Sequence, residues 1–253
     1  MSYFNSQLSG LIIENFDYSV LFRWIKPNRL VTIFEGMLLE KKIVLVHNNH
    51  GILAIIIECL KSLIRPLKWW SPSWSFMLGP ESLEFMDSPF GFIFGFSRKL
   101  WDRDIMMNVD KLTLDGFNEN AIILEIDKDY IKTQIKPVIP HVKRLMIEES
   151  LQKLINEREE KVLNCQDFTH KHSQMFWKSL ELKTKRLFLN FFITTINNYL
   201  GFYKTSNEIN TKQLMSEKIF DFEKYISSFP SQEQDFISQL TMTQSFNVFI
   251  GRL

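Results

Sequence analysis

From Leu30 onward the apolar residues Leu30, Ile33, Phe34, Met37 and Leu38 return at helical spacing, with Glu35 and Glu40 off that face. Asn28, next to Pro27, reads as the N-cap of this helix, and Lys41–Lys42 as its basic end, favoured by the helix dipole. Ile43-Val44-Leu45-Val46 then runs without alternation, as a strand buried on both faces does. A turn through His47, Asn48, Asn49 and His50 leads past Gly51 into an apolar helix from Ile52 to Leu60 that ends before Pro66. Strand, tight turn and helix open a βαβ unit. Further strands are predicted over Trp74 to Leu78, Gly91 to Phe96 and Ala121 to Ile126. A short helix through Leu83 and Met86 is stopped by Asp87-Ser88-Pro89, and the polar stretch 97–120 reads as loop.

Beyond Pro137 and Pro140 the pattern changes. Ile147, Leu151, Leu154 and Ile155 share one helical face in the stretch from His141 to Asn164, with glutamates on the others. Helices are expected over 168–183, 186–203, 210–226 and 231–249, punctuated by Gly201 and Pro230. The expected fold is therefore α/β and then all-α: a mostly parallel sheet flanked by helices over residues 1–140, and a helical unit over 141–253. The uncharged run from Leu187 to Tyr203 is shorter than a membrane span, which needs about 20 apolar residues. Asn190, Thr194, Asn197 and Asn198 place a polar stripe on it, so it reads as a core helix with a wet edge.

Composition narrows the class. The chain has 253 residues, of which 45% are hydrophobic and 14% aromatic, which excludes a wholly disordered chain. Lys and Arg total 30 against 29 Asp and Glu, a net charge of +1 that argues against a dedicated nucleic-acid binder. The two cysteines, Cys59 and Cys165, have no metal-type spacing, and the Met-Ser-Tyr-Phe-Asn start lacks a signal-peptide pattern, so a reducing, cytoplasmic setting is expected.

Group-transfer chemistry finds no support. The loop His47 to Gly51 lacks the glycines that let backbone approach a pyrophosphate, and no Gly-Lys-Ser/Thr occurs. The pairs His47/His50 and His170/His172 have no third ligand in register, so they read as turn or surface histidines and no metal is expected. Asp102–Asp104 and Glu148–Glu149 read as solvated faces, and no cofactor is expected. Trp69, Trp70 and Trp74 form a dense aromatic cluster, read as core packing, with a partner platform as the alternative.

Several segments, in order, resemble the DENN family. Phe22 to Pro27 followed by Phe34-Glu35-Gly36-Met37-Leu38-Leu39-Glu40-Lys41-Lys42 and the strand to Val46 is similar to the start of the central DENN module. Pro66-Leu67-Lys68-Trp69 resembles its Pro-Phe-x-Trp turn, with Leu67 for the usual aromatic, and Phe85 to Gly95 its acidic-x-Pro stretch and following strand. Ala121 to Asp127 resembles its later strand. Phe188 to Tyr199 and Phe236 to Ile250 resemble helices of the all-helical downstream module. The resemblance implies guanine-nucleotide exchange on a Rab-type small GTPase in membrane traffic, in the cytoplasm with recruitment to vesicle membranes through the GTPase. Such a factor binds the GTPase better without nucleotide and so opens its switch segments.

The family grips its GTPase across an upstream longin-like lobe and the central one, and here the match begins near residue 20. Three alternatives are expected from that start: the chain is a fragment, or another chain supplies the lobe, or exchange activity has been lost. The alternative to exchange is a non-catalytic interaction scaffold with the same fold. A GTPase-activating role would need a positioned arginine. For contacts, ligand sites beyond the strand ends of α/β sheets point first to Asn48 and Asn49. The motif-bearing turn Asp87, Ser88, Pro89 and Phe90 is the second candidate. Ordinary turn and cap chemistry is the competing explanation for both.

Overall fold

The computed structural model describes residues 16–77, 79, 82–105, 120–164, 170–196, 198–203 and 219–251. Helix α1 (Tyr18–Trp24) is capped by the Asp17 carboxylate, which accepts from the Ser19 backbone N–H. It precedes α2 (Pro27–Leu38), β1 (Lys42–Val46), α3 (His50–Leu63), β2 (Ser73–Trp74), α4 (Ser82–Met86) and β3 (Phe92–Phe96). A single turn, α5 (Arg98–Leu100), runs into a wider π turn at Trp101–Ile105. Next come β4 (Ala121–Glu125), a 3₁₀ turn at Ile126–Lys128 and β5 (Tyr130–Thr133). The rest is helical: α6 (His141–Asn164), α7 (His170–Thr195), a 3₁₀ turn at Tyr199–Phe202, α8 (Phe222–Ser227), α9 (Ser231–Thr241) and α10 (Gln244–Ile250).

The sheet has the order β2-β3-β1-β4-β5. Its first three contacts are parallel, and β5 is added antiparallel to β4. The expected class, a mostly parallel α/β sheet followed by helices, is what the chain forms. Among the described residues after Thr133 the only strand-like pairing is an isolated bridge between Tyr203 and Phe220.

Several local expectations are corrected. Pro27, not Asn28, opens α2: Pro fits the first helical position because its ring presets φ and its missing N–H would be unpaired there. The Asn28 side chain accepts from the Arg29 backbone N–H. Lys41 and Lys42 fall outside α2, which closes in a Schellman turn: Lys41 N–H donates to Gly36 O and Glu40 N–H to Met37 O, with Glu40 at φ 51°. The strand expected over Trp74 to Leu78 contracts to Ser73–Trp74, and Leu78 lies outside the described residues. Helices expected over 168–183 and 186–203 are one helix that stops at Thr195. The 231–249 helix is two, because the Thr243 hydroxyl caps a fresh start at Phe246 N–H. Of the expected 210–226 helix, residues up to 218 lie outside the described residues and the remainder begins only at Phe222.

Alternate residues of the strands enter different cores. Ile43, Leu45, Ile93, Ile122 and Leu124 pack with α1 to α3 and, in the same core, with Leu151, Phe188, Phe192, Phe236 and Phe246 of the helical region. Val44, Val46, Phe92, Phe94, Phe96 and Ile123 face the other way, under Met77, Met86, Leu100, Trp101 and Ile105. No helix among the described residues is long and apolar enough to cross a membrane. Asn190 and Thr194 are exposed on α7 while Phe188, Phe191 and Phe192 are buried, the wet edge expected.

Candidate functional site

The two groups of candidate residues lie at opposite ends of the parallel strands. Asn48 and Asn49 follow the carboxyl end of β1, whereas Asp87 to Phe90 precede the amino end of β3, its neighbour in parallel register. A five-residue strand separates such ends by roughly 16 Å. The structure therefore brings together the members of each group but not the two groups.

At the carboxyl end the polar groups are largely bound within the protein. Asn49 caps α3, its side-chain oxygen accepting from Ile52 N–H at 3.2 Å. Its own N–H lies 2.9 Å from His47 Nδ1, and His47 Nε2 stands 3.1 Å from an Asp127 oxygen. The edge of Trp24 packs on the buried imidazole, 4.6 Å between centroids. Arg98, directly after β3, pairs with Glu125 at the end of β4, and Lys128 reaches the same carboxylate at 2.8 Å. Asp102 lies 3.4 Å from Arg98. Burial opposes ionisation of Glu125, but the hydrogen bonds from Lys128 and Arg98 outweigh it and hold the carboxyl below its ordinary range. Asn48 is left exposed at this end.

The amino end is different. Ser88 builds the turn: its hydroxyl accepts from Phe90 N–H at 3.2 Å, and its own N–H donates to Phe85 O. Asp87, Pro89 and Phe90 stand in solvent, with Phe90 69% exposed. Gly91 is required next, because a Cβ there would stand 2.1 Å from the Glu40 carbonyl oxygen. Lys42 donates to Met86 O at 2.9 Å. Burial lowers the affinity of that ammonium for its proton, and the nearby Asp87 charge works against the shift. Gly95 plays a similar spatial part: a Cβ would come within 2.5 Å of Ser75 O, so β2 can lie close against β3 and set Trp74 beside Phe94.

Two glutamates of the motif-bearing segment tie the α/β and helical regions together. Glu35 is buried and accepts from the backbone N–H groups of Val138 and Ile139 and from Arg144 at 2.6 Å. The Glu40 carboxylate caps α10, accepting from Gln244 N–H at 2.9 Å, Ser245 N–H at 2.7 Å and the Ser245 hydroxyl. Sequence reasoning placed both off the apolar face without seeing this, because their partners stand about a hundred or more residues away.

The remaining chemical candidates are structural where they are described. Cys59 is a free, buried thiol that burial pushes well above its ordinary range. Cys165 and the side chains of His170, His172 and Asp104 lie outside the described residues. Among the described residues no group of three His, Cys, Asp or Glu is arranged to hold a metal. Of the clustered Trp69, Trp70 and Trp74, Trp69 is buried and the other two are exposed.

Comparison with known proteins addresses the family. The DENN (AEX-3) domain model matches residues 3–129. Human DENN domain-containing protein 2A is 24% identical over 241 residues, covering 94% of this chain and 22% of that protein. Elicitor of plant defense protein 1 of Fusarium odoratissimum is 25% identical over 125 residues, 49% of this chain and 12% of that protein. Its namesake in Verticillium dahliae is 26% identical over 122 residues, 48% and 10%. The chain thus spans between 10% and 22% of the length of these relatives. The human match runs through the helical region, where Phe188, Phe192, Phe236 and Phe246 share the core of the α/β sheet. The chain belongs to the DENN (AEX-3) domain family.

Proposed function

We propose that this protein acts as a guanine-nucleotide exchange factor, or part of one, for a Rab-type small GTPase in membrane traffic. Membership of the DENN family carries the reading, since the family resemblance implies that activity. The mechanism needs differential binding, not a catalytic acid, base or nucleophile. Contacts better satisfied by the nucleotide-free GTPase stabilise its opened switch segments and weaken the hold on magnesium and nucleotide.

The proposed contact centres on Asp87, Pro89 and Phe90, with Ser88 holding the turn. Asn48 is the second proposed contact, presented by the turn that Asn49 fixes through its cap. Exposed groups free to exchange water for a partner favour this assignment over the internally bonded His47 and Arg98. A longin-like lobe, in this protein or another chain, would complete the grip. The protein would work in the cytoplasm and reach vesicle membranes through its GTPase.

The test is release of a fluorescent GDP analogue from purified Rab-type GTPases, with and without an added longin-like lobe. Acceleration on at least one GTPase is expected; intrinsic rates throughout would sink the reading. A non-catalytic scaffold is the second reading, favoured by the exposed Trp74. It predicts stable binding to a GTPase in both nucleotide states with no acceleration.

A further inference from the structure

An aromatic ledge runs outward along the β2 edge of the sheet. Phe92 and Phe94 stack at 4.0 Å, and Trp74, in register with Phe94, stacks on it at 5.1 Å and 8°. Phe85 of α4 meets Trp74 edge-on at 5.1 Å. The inner rungs are buried, but Trp74 is 42% exposed and Phe85 48%. Large exposed aromatics grouped in this way are a feature of interaction surfaces.

Charge identifies what could cover the ledge. Between Lys68 and Arg98 the chain has three acids, Glu81, Glu84 and Asp87, and no Lys, Arg or His. Glu84 and Asp87 are exposed beside the aromatics. Lys42, which donates to Met86 O, faces Asp87 and offsets part of its charge, and Glu84 stands next to Phe85. An acidic rim repels the anionic surface of a cytoplasmic membrane leaflet, which draws basic segments instead. It attracts a protein surface on which apolar side chains are bordered by lysine and arginine.

We infer that the Trp74–Phe85 ledge, rimmed by Glu84 and Asp87, is a docking surface for a basic-rimmed apolar protein surface and not for a membrane. This deepens the proposed function, because it rests on the Asp87–Phe90 turn being a partner contact and states the chemistry that the partner must carry. It also extends the contact to Trp74, which the sequence offered as a partner platform only in the alternative to core packing, and to Phe85, which it did not offer as a contact.

The experiment follows the Trp74 indole N–H resonance of the full chain, assigned with Trp74→Phe, during three titrations. The probes are a short amphipathic leucine–lysine helix, the same helix with glutamate for lysine, and vesicles of phosphatidylcholine and phosphatidylserine. The leucine–lysine helix is expected to shift the resonance and the glutamate helix to leave it in place. Glu84→Lys/Asp87→Lys should weaken the first interaction by about tenfold or more and admit the second helix. Equal response to both helices, no response at Trp74, or binding to the vesicles would overturn the inference. The lysine-versus-glutamate comparison needs no variant, so a misfolded double mutant leaves the test intact. Nucleotide release that depends on Asp87 and Phe90 without the peptide response would reject the ledge and keep the exchange reading. The reverse pattern would reject exchange and keep the ledge.

Discussion

The two ends of the parallel sheet use the same kinds of residue for different purposes. At the carboxyl end His47 and Glu125 are buried, and the exposed Asn49 and Asp127 are engaged within the protein, Asn49 on Ile52 N–H and Asp127 beside His47 and Arg98. At the amino end Ser88 alone forms the turn, and Asp87, Pro89 and Phe90 are left in solvent. Both ends carried turn residues in the sequence. What separates a structural turn from a candidate contact is whether its side chains are already bonded within the protein.

The largest expected effect belongs to the carboxyl end. Arg98→Ala removes one of two partners from a buried carboxylate and should cost about 3 kcal/mol, read from urea unfolding. A loss too small to measure would mean that Lys128 alone holds Glu125. The same pair sets a pH dependence. Glu125 has a depressed pKa when folded, so its contribution is fully present above the ordinary value of 4.5 and is lost as pH falls through the lower folded value. Unfolding followed from pH 6 downward should show Arg98→Ala with a shallower acid-side decline than the parent.

At the amino end Glu40→Ala, which uncaps α10, should cost about 2 kcal/mol. Glu40→Gly should cost less, because glycine relieves the left-handed backbone at φ 51°, worth about 1 kcal/mol. Equal losses in the two variants would show that the backbone there is unstrained. Asn49→Ala should lose about 1 kcal/mol as a missing helix cap, with Asn49→Asp close to the parent. The smallest effect is expected where exposure is greatest: Asp87→Ala and Phe90→Ser should each stay within about 0.5 kcal/mol of the parent.

Much of this architecture was legible locally. Ile43 to Val46 and Ala121 to Leu124 announce themselves as strands because both faces are buried and the run is continuously apolar. Helix α1 was not visible: it is seven residues long, and its place is set by packing Tyr18 and Leu21 into the main core. Strand β5 was missed because Tyr130 and Lys132 point outward from an edge strand and carry no apolar run. The break at Met242 and Thr243 was hidden because apolar spacing continues across it while a hydroxyl restarts the helix.

The candidate site was legible only in part. Asn49 was correctly placed in a turn, and its cap is local, to Ile52 N–H three residues on, but the His47–Asp127 approach depends on strands far apart in sequence. A usable signal was present: His47, Arg98 and Glu125 each close or follow one of three adjacent parallel strands, so the topology gathers them at one end. Exposure of Trp74 and Phe85 could not be read in advance, because the adjacent Trp69 is buried in the same cluster.

The most direct test of the central claim combines both ends in one assay. Release of a fluorescent GDP analogue from a responsive Rab-type GTPase would be compared for the parent, Asn49→Ala and Asp87→Ala/Phe90→Ser, each at a temperature where unfolding shows it folded. The account predicts release close to the parent rate with Asn49→Ala and at least tenfold slower release with the double variant, as expected from losing contacts worth about 1.4 kcal/mol. Parent-like release from Asp87→Ala/Phe90→Ser would contradict it.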